Sequence, residues 1–86
     1  MYYVYVLLSE KDNEFYIGFT ENLKGRLKEH QNGKVLSTKY RRPLKLIYYE
    51  ACSNEFDAMK REKYFKTGYG RHFLKNRLEN FLEEQS

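Results

Sequence analysis

The sequence predicts an α+β fold: a small three-stranded, mostly antiparallel sheet packed against helices, in the order β-β-α-β-α-α. Short runs rich in β-branched and aromatic residues, near the start and in the middle of the chain, are typical of strands. Segments with apolar residues at helical spacing follow these runs, two of them directly after an Asn that can cap a helix. A chain of 86 residues can bury one small core, so we expect residues 1–86 to form a single domain.

The first two elements are predicted to form a β-hairpin. Tyr2–Leu8 is β-branched, aromatic and apolar throughout, which is typical of a strand buried on both faces. Phe15–Phe19 has the same character, and Asp12-Asn13 between the two runs indicates a turn. We therefore expect these strands to be antiparallel neighbours.

The register of this hairpin decides whether two tyrosines meet. Residues paired directly across an antiparallel hairpin share a face of the sheet. If Tyr5 pairs with Tyr16, or with Gly18 two residues on, the phenols of Tyr5 and Tyr16 lie on the same face. A slip of one residue would separate them. The sequence leaves the register open.

The other elements follow from capping and breaking signals. Asn22 and Asn54 are predicted to cap two helices, and Gly33 ends the first because glycine readily adopts a left-handed conformation. Gly68 and Gly70 are expected to end the second helix before the last helix begins. The predicted segments are a helix, a basic loop, a strand and two helices: Leu23–Gln31, Lys34–Arg42, Leu44–Glu50, Glu55–Thr67 and Arg71–Glu83.

Charge and composition fit a nucleic-acid partner without establishing one. Sixteen Lys and Arg stand against twelve Asp and Glu, a net charge of +4. Aromatic residues make up 17% of the chain and offer faces on which bases can stack.

Cysteine content and hydrophobicity indicate a cytoplasmic protein with no membrane association. The single cysteine, Cys52, cannot support a disulfide framework, so we expect a reducing compartment. The apolar run Tyr2–Leu8 is too short to span a bilayer and lacks the flanks of a signal peptide.

The first helix presents an arginine and a histidine beside its apolar stripe. On a helical wheel Arg26 and His30 lie next to Leu23 and Leu27, so their polar heads can reach the rim of the sheet. Two interpretations are open: functional groups at that rim, or side chains that extend to water from the edge of a buried face.

The second helix places a carboxylate among apolar residues. Glu62 falls on the same face as Ala58 and Phe65, with Met59 at the edge. A carboxylate there is costly unless it is paired or binds a cation. It could pair with Arg26 or a nearby lysine, or it could hold one hard divalent cation such as Mg²⁺.

Basic residues in two places are candidates for phosphate contact. In the loop after the first helix they surround an aromatic side chain that could stack on an unpaired base; the alternative is a solvated loop. Arg71 follows a Gly-Tyr-Gly turn that either binds phosphate at a helix N-terminus or only links two helices. The nucleic-acid-binding candidates are Lys34, Lys39, Tyr40, Arg41, Arg42 and Arg71.

Taken together, the motifs resemble those of a known family. Tyr3-Val4-Tyr5 and Tyr16-Ile17-Gly18 are followed by Thr20–His30 and by Ala58–Glu62, in this order and at these intervals. The chain resembles the GIY-YIG nuclease superfamily, and within it the small UPF0213-like proteins that consist of little but the nuclease domain. The first triplet has Tyr and Val where the family name has Gly and Ile, but its tyrosine is retained as Tyr5.

The resemblance implies metal-assisted hydrolysis of a DNA phosphodiester, with a single Mg²⁺ or Mn²⁺. Tyr5 would activate the attacking water, directly or through the hydration shell of the metal, and Tyr16 would position the water or the phosphate; these roles could be exchanged. Arg26 would neutralise charge on the phosphate. His30 would form a hydrogen bond to the phosphate or to a tyrosine. Glu62 would hold the cation.

The predicted function is therefore a structure-selective DNA endonuclease of low sequence specificity. The alternative is a non-catalytic nucleic-acid-binding module with the same fold, and a pure protein-interaction domain is a third interpretation. We expect Tyr5, Tyr16, Arg26 and Glu62 to line one concave surface. The natural substrate, a separate targeting protein and the oligomeric state are left open by the sequence.

Overall fold

The computed structural model describes residues 1–85 and confirms the predicted fold class. Three antiparallel strands pack against helices in the order β-β-α-β-α-α-α. Within residues 1–85, no helix is long and apolar enough to cross a membrane. The elements are β1 (Tyr2–Ser9), β2 (Phe15–Thr20), α1 (Leu23–Gln31), a short 3-10 turn (Lys39–Arg41), β3 (Leu44–Cys52), α2 (Glu55–Phe65), α3 (Gly68–Arg77) and α4 (Glu79–Glu84).

Strand β1 occupies the centre of the sheet, whose order is β2-β1-β3. It is antiparallel to both neighbours and is buried without interruption from Val4 to Ser9. This confirms the prediction of a strand buried on both faces. In the hairpin, Tyr5 lies opposite Gly18 and Leu7 lies opposite Tyr16. The register is therefore the one that places Tyr5 and Tyr16 on the same face.

The two faces of the sheet have different roles. Val4, Val6 and Ile17 face α2 and α3, where they form the hydrophobic core with Phe65 and Leu74. Because side chains alternate along a strand, the residues between them point to the opposite face, toward α1. The first face supplies the apolar burial, and the second carries the tyrosines of the candidate site.

The predicted last helix, Arg71–Glu83, is wrong in two respects: its start and its continuity. Residues 68–70 do not separate two helices; they form the first turn of α3, which therefore starts before Arg71. A separate helix, α4, begins at Glu79. The side chain of Thr67 caps α3, because its hydroxyl accepts a hydrogen bond from the Gly70 amide at 3.1 Å.

The surroundings of residue 70 explain why this turn needs a glycine. A Cβ at this position would collide with the backbone of Tyr64 and lie 2.6 Å from the Cα of Phe65. The glycine therefore allows the start of α3 to pack directly against the end of α2. The Gly-Tyr-Gly segment is the first turn of α3, and within it Gly70 permits the close packing of the two helices.

A partly buried ion pair connects β3 to the helical layer. The guanidinium of Arg61 on α2 forms two hydrogen bonds to Glu50, at 2.8 and 3.0 Å, and Tyr48 donates a third at 2.9 Å. The same guanidinium lies 4.5 Å from the ring centroid of Phe65 and 4.8 Å from that of Phe73. Burial would raise the pKa of Glu50, but these hydrogen bonds outweigh it and lower the pKa.

We expect Arg61→Ala to lower the free energy of unfolding by about 1–3 kcal/mol, because Glu50 loses its charged partner while it remains partly buried. Urea denaturation of both proteins measures the difference. Lys60→Ala, at an exposed neighbouring position, is the matched control and should change stability by less than about 0.5 kcal/mol. Equal effects of the two substitutions would contradict the structural role of Arg61.

Candidate active site

Two phenol rings from the central hairpin form the floor of the candidate site. The ring centroids of Tyr5 on β1 and Tyr16 on β2 lie 6.4 Å apart on the face that α1 covers. Tyr5 is 1% exposed. The prediction that these phenols share a face is confirmed.

Gly18 gives the Tyr5 ring its position. Tyr5 lies opposite Gly18 in the register, and its ring crosses directly over this glycine. A Cβ at position 18 would overlap the end of the ring, at Cζ and the hydroxyl oxygen. The last residue of the second triplet is therefore a glycine for a steric reason, since only glycine leaves room for the phenol.

His30 lies in the last turn of α1 and joins the two tyrosines. Its Nε2 is 2.8 Å from the Tyr5 hydroxyl oxygen, and its Nδ1 is 2.7 Å from Oγ1 of Thr38. The imidazole meets both phenol rings edge to face, with centroid distances of 5.6 Å to Tyr5 and 5.2 Å to Tyr16. With both nitrogens hydrogen-bonded, the ring can be buried, and it is 1% exposed.

This position of His30 corrects the prediction of a residue at the rim of the sheet. His30 is the buried residue of α1, whereas Leu23 and Leu27 are only partly buried. The reason is that the polar atoms of Tyr5 and Thr38 provide partners for the imidazole inside the fold, which a helical wheel does not show.

Burial keeps both central groups uncharged at neutral pH. Burial, helped by the positive charge of Arg26, lowers the pKa of His30 to about 4. Burial also raises the pKa of Tyr5, and the charge of Glu62 adds to this, while the Arg26 guanidinium beside the phenol partly opposes it. The resting pair is therefore a neutral phenol and a neutral imidazole.

Arg26 lies beside the Tyr5 phenol and remains partly open to solvent. Its side chain is 35% exposed, and one Nη contacts the carboxylate of Glu29 at 3.3 Å. A guanidinium with this exposure can still receive an anion from outside the fold. Arg26, His30 and the two tyrosines thus form one cluster.

Glu62 lies on α2. It forms an ion pair with Lys66 at 3.3 Å, one of the alternatives that the sequence leaves open, and its side chain is 25% exposed. Its charge acts on Tyr5, so it lies within electrostatic reach of the phenol. Residues 1–85 contain no group of three or more His, Cys, Asp or Glu side chains that could hold a metal ion. A lone carboxylate fits a hard cation that keeps waters and phosphate oxygens as its other ligands.

Three of the predicted nucleic-acid-binding residues lie together beside the 3-10 turn. Lys39, Tyr40 and Arg42 line an open groove of about 610 Å³ together with Lys11 and Gln31. The ring of Tyr40 is 71% exposed there.

The other candidates in this set lie elsewhere or are already engaged. Lys34 is exposed on the loop before the groove, and Arg71 is exposed on α3, across the sheet from α1. The guanidinium of Arg41 binds Asp12 at 2.7 Å and the carbonyl of Glu14 at 3.2 Å. Arg41 therefore ties the 3-10 turn to the hairpin.

The comparison with known proteins identifies the family. The sequence profile of the GIY-YIG catalytic domain matches residues 1–80. The chain belongs to the GIY-YIG nuclease family. The family resemblance found in the sequence is thereby confirmed, and a nuclease domain implies a nucleic-acid substrate.

Relatives of similar size carry the name UPF0213. The chain is 44% identical over 84 residues to a UPF0213 protein of Limosilactobacillus reuteri, covering 94% of this chain and 81% of the relative. It is 40% identical over 76 residues to the UPF0213 protein YazA of Bacillus subtilis, covering 87% of this chain and 72% of the relative. No solved structure matches the chain.

Sequence reasoning missed two hydroxyl residues at the site. Thr38 is fully buried against His30, and the Ser37 hydroxyl lies 3.4 Å from that of Tyr16. Both belong to the segment predicted only as a basic loop. No periodicity or motif marks them, because their partners lie 8 and 21 residues away in the chain.

We expect Gly18→Ala to destabilise the protein by about 1–3 kcal/mol, because the new methyl group competes with the buried Tyr5 ring for the same space. Gly68→Ala is the matched control, since a Cβ there meets no atom within 4 Å, and it should be neutral or stabilise the helix. Urea denaturation measures both effects. Unchanged stability in Gly18→Ala would show that the ring can move aside.

Stability should fall as the pH decreases from about 6.5 to about 4, because His30 has a lowered pKa in the folded state. Between these values the unfolded chain binds more protons than the native protein, so the free energy of unfolding increases with pH. Above about pH 6.5 the contribution of His30 to the free energy of unfolding is complete. Urea denaturation at several pH values measures it.

Two variants separate His30 from other titrating groups. His30→Gln should flatten this part of the profile, whereas His72→Gln, at an exposed position, should preserve it. Asp12 changes stability only at lower pH, since its hydrogen bond with Arg41 lowers its pKa to about 2. An unchanged slope in His30→Gln would contradict the assignment.

Proposed function

We propose that residues 1–86 act as a metal-dependent DNA endonuclease, structure-selective and of low sequence specificity. The observation that carries this proposal is the hydrogen bond between Tyr5 and His30, with Tyr16 and Arg26 beside it, in a chain of the GIY-YIG family. The lone cysteine supports a cytoplasmic location.

The proposed chemistry begins at the phenol of Tyr5. Its oxygen accepts a proton from the attacking water as its own hydroxyl proton passes to the hydrogen-bonded His30, and Tyr16 orients the water or the scissile phosphate. Arg26 lies beside Tyr5 with part of its guanidinium open to solvent, so it can bind a phosphate oxygen and stabilise the charge that grows in the transition state.

Glu62 is the residue proposed to hold a divalent cation, Mg²⁺ or Mn²⁺. When bound, such an ion would neutralise phosphate charge and lower the barrier to departure of the leaving oxygen. The ion pair with Lys66 orients the carboxylate until substrate arrives.

The groove beside the 3-10 turn is the proposed contact for DNA flanking the cut. Lys39 and Arg42 can neutralise backbone phosphates, and the exposed ring of Tyr40 can stack on a base that is not paired. Lys34 and Arg71 would add weaker, long-range attraction, and Arg41 would act mainly by holding the turn in place. A separate targeting protein would add specificity for particular DNA sites.

We expect Arg26→Ala and Glu62→Ala each to reduce cleavage of flapped, nicked or branched DNA by on the order of 10²-fold or more, since each removes electrostatic stabilisation of the transition state. The assay uses labelled DNA with Mg²⁺ or Mn²⁺. Lys28→Ala on α1 and Glu84→Gln on α4 are matched controls at exposed positions and should cut at the rate of the unmodified chain.

Two outcomes would contradict the enzyme proposal. Equal residual cutting by all variants would point to a contaminating nuclease. Salt-dependent binding of DNA without any cleavage would favour the alternative, a nucleic-acid-binding module that keeps the nuclease fold.

A further inference from the structure

We propose that Thr38 is a positioning residue for catalysis: it holds His30 in the tautomer that carries its proton on Nδ1, so that Nε2 accepts the proton of Tyr5. This inference rests on the proposed nuclease function and extends it to a residue that no motif marks. Three buried side chains then form one directed chain of hydrogen bonds.

The side chain of Thr38 is placed for this role. It is fully buried, and its Oγ1 lies 2.7 Å from Nδ1 of His30. It occupies the capping position of the 3-10 turn, yet its hydroxyl makes no capping hydrogen bond there. The hydroxyl is directed instead toward the imidazole and toward the carbonyl of Val35, at 3.4 Å.

The donor and acceptor roles along these hydrogen bonds follow from the single hydroxyl hydrogen of Thr38. A hydroxyl has one hydrogen, and the Val35 carbonyl can only accept it. When Thr38 donates to Val35, its oxygen is left to accept from His30, so Nδ1 must carry the imidazole proton. A neutral imidazole has one N–H, and Nε2 is therefore the acceptor that faces Tyr5.

The charge at the opposite end of the chain favours the same direction. The Arg26 guanidinium lies beside the Tyr5 phenol. Its positive charge favours a phenol whose oxygen faces it and whose hydrogen points away from it. Within residues 1–85, Nε2 of His30 is the acceptor hydrogen-bonded to that hydroxyl. The Val35 carbonyl and the charge of Arg26 therefore favour the same tautomer.

This arrangement lets a neutral phenol serve as the base for water. The water gives one proton to the Tyr5 oxygen while the Tyr5 proton passes to Nε2, and the hydroxide formed attacks phosphorus as the bond to the leaving oxygen breaks. The leaving oxygen takes a proton from solvent, and His30 later returns its extra proton to solvent. Tyr5 remains neutral throughout, and the positive charge arises on His30, whose Nδ1–H stays bonded to Thr38. With the other tautomer, Nε2–H would block this transfer.

The tautomer can be read directly by proton–nitrogen correlation NMR of the imidazole rings at neutral pH. The chain has two histidines, and spectra of His72→Gln assign the signals of His30. We expect Nδ1 of His30 to be protonated and Nε2 not. The reverse pattern in the unmodified protein would overturn the proposal, and this measurement requires no variant at Thr38.

Variants of Thr38 test whether the hydroxyl is the cause. Thr38→Val keeps the shape of the side chain and removes the hydroxyl, so it should abolish the fixed tautomer and lower kcat by up to about 10²-fold with KM nearly unchanged. Thr38→Ser retains the hydroxyl and should preserve both. Thr67→Val removes a different threonine hydroxyl, the cap of α3, and should lower stability without altering the tautomer or kcat.

The outcomes separate this proposal from the nuclease proposal. A wild-type tautomer and kcat in Thr38→Val, or a loss of kcat in Thr38→Ser as large as in Thr38→Val, would overturn the role of Thr38 while cleavage itself stands. A protein that shows the expected tautomer and its loss in Thr38→Val, but cuts no DNA, would support the positioning by Thr38 and refute the nuclease proposal.

Discussion

The burial of β1 on both faces is the constraint on which the rest of the structure depends. One set of its side chains forms the hydrophobic core with α2 and α3, and the alternate set faces α1. A shift by one residue would exchange the two sets, so the burial of both faces excludes it. The burial of Val4 and Val6 in the core therefore also fixes the face of the sheet on which Tyr5 lies.

The second face of the sheet solves a different problem, the burial of polar groups. Tyr5, His30 and Thr38 are each almost fully removed from solvent. Within residues 1–85, no buried side-chain nitrogen or oxygen lacks a hydrogen-bond partner. Because each group satisfies the next, the cluster can stay neutral inside the fold, with the charge of Arg26 beside the Tyr5 phenol.

The two tyrosine triplets have a physical meaning in this fold. Each contributes one phenol, and the hairpin brings the two phenols together on one face. The glycine that ends the second triplet gives the Tyr5 ring its space. In the first triplet, Val4 stands where the family name has Ile, and both are β-branched residues that suit this buried position of the core.

The sequence by itself determined the strands, the positions of α1 and α2, and the capping by Asn22 and Asn54, because these features depend on local propensity and on side chains close in the chain. Tertiary structure alone decided the register, the burial of His30, the start of α3 at Gly68 and the contact of Thr38 with His30. Each of these depends on atoms that come from different elements, and no local pattern records which elements will meet.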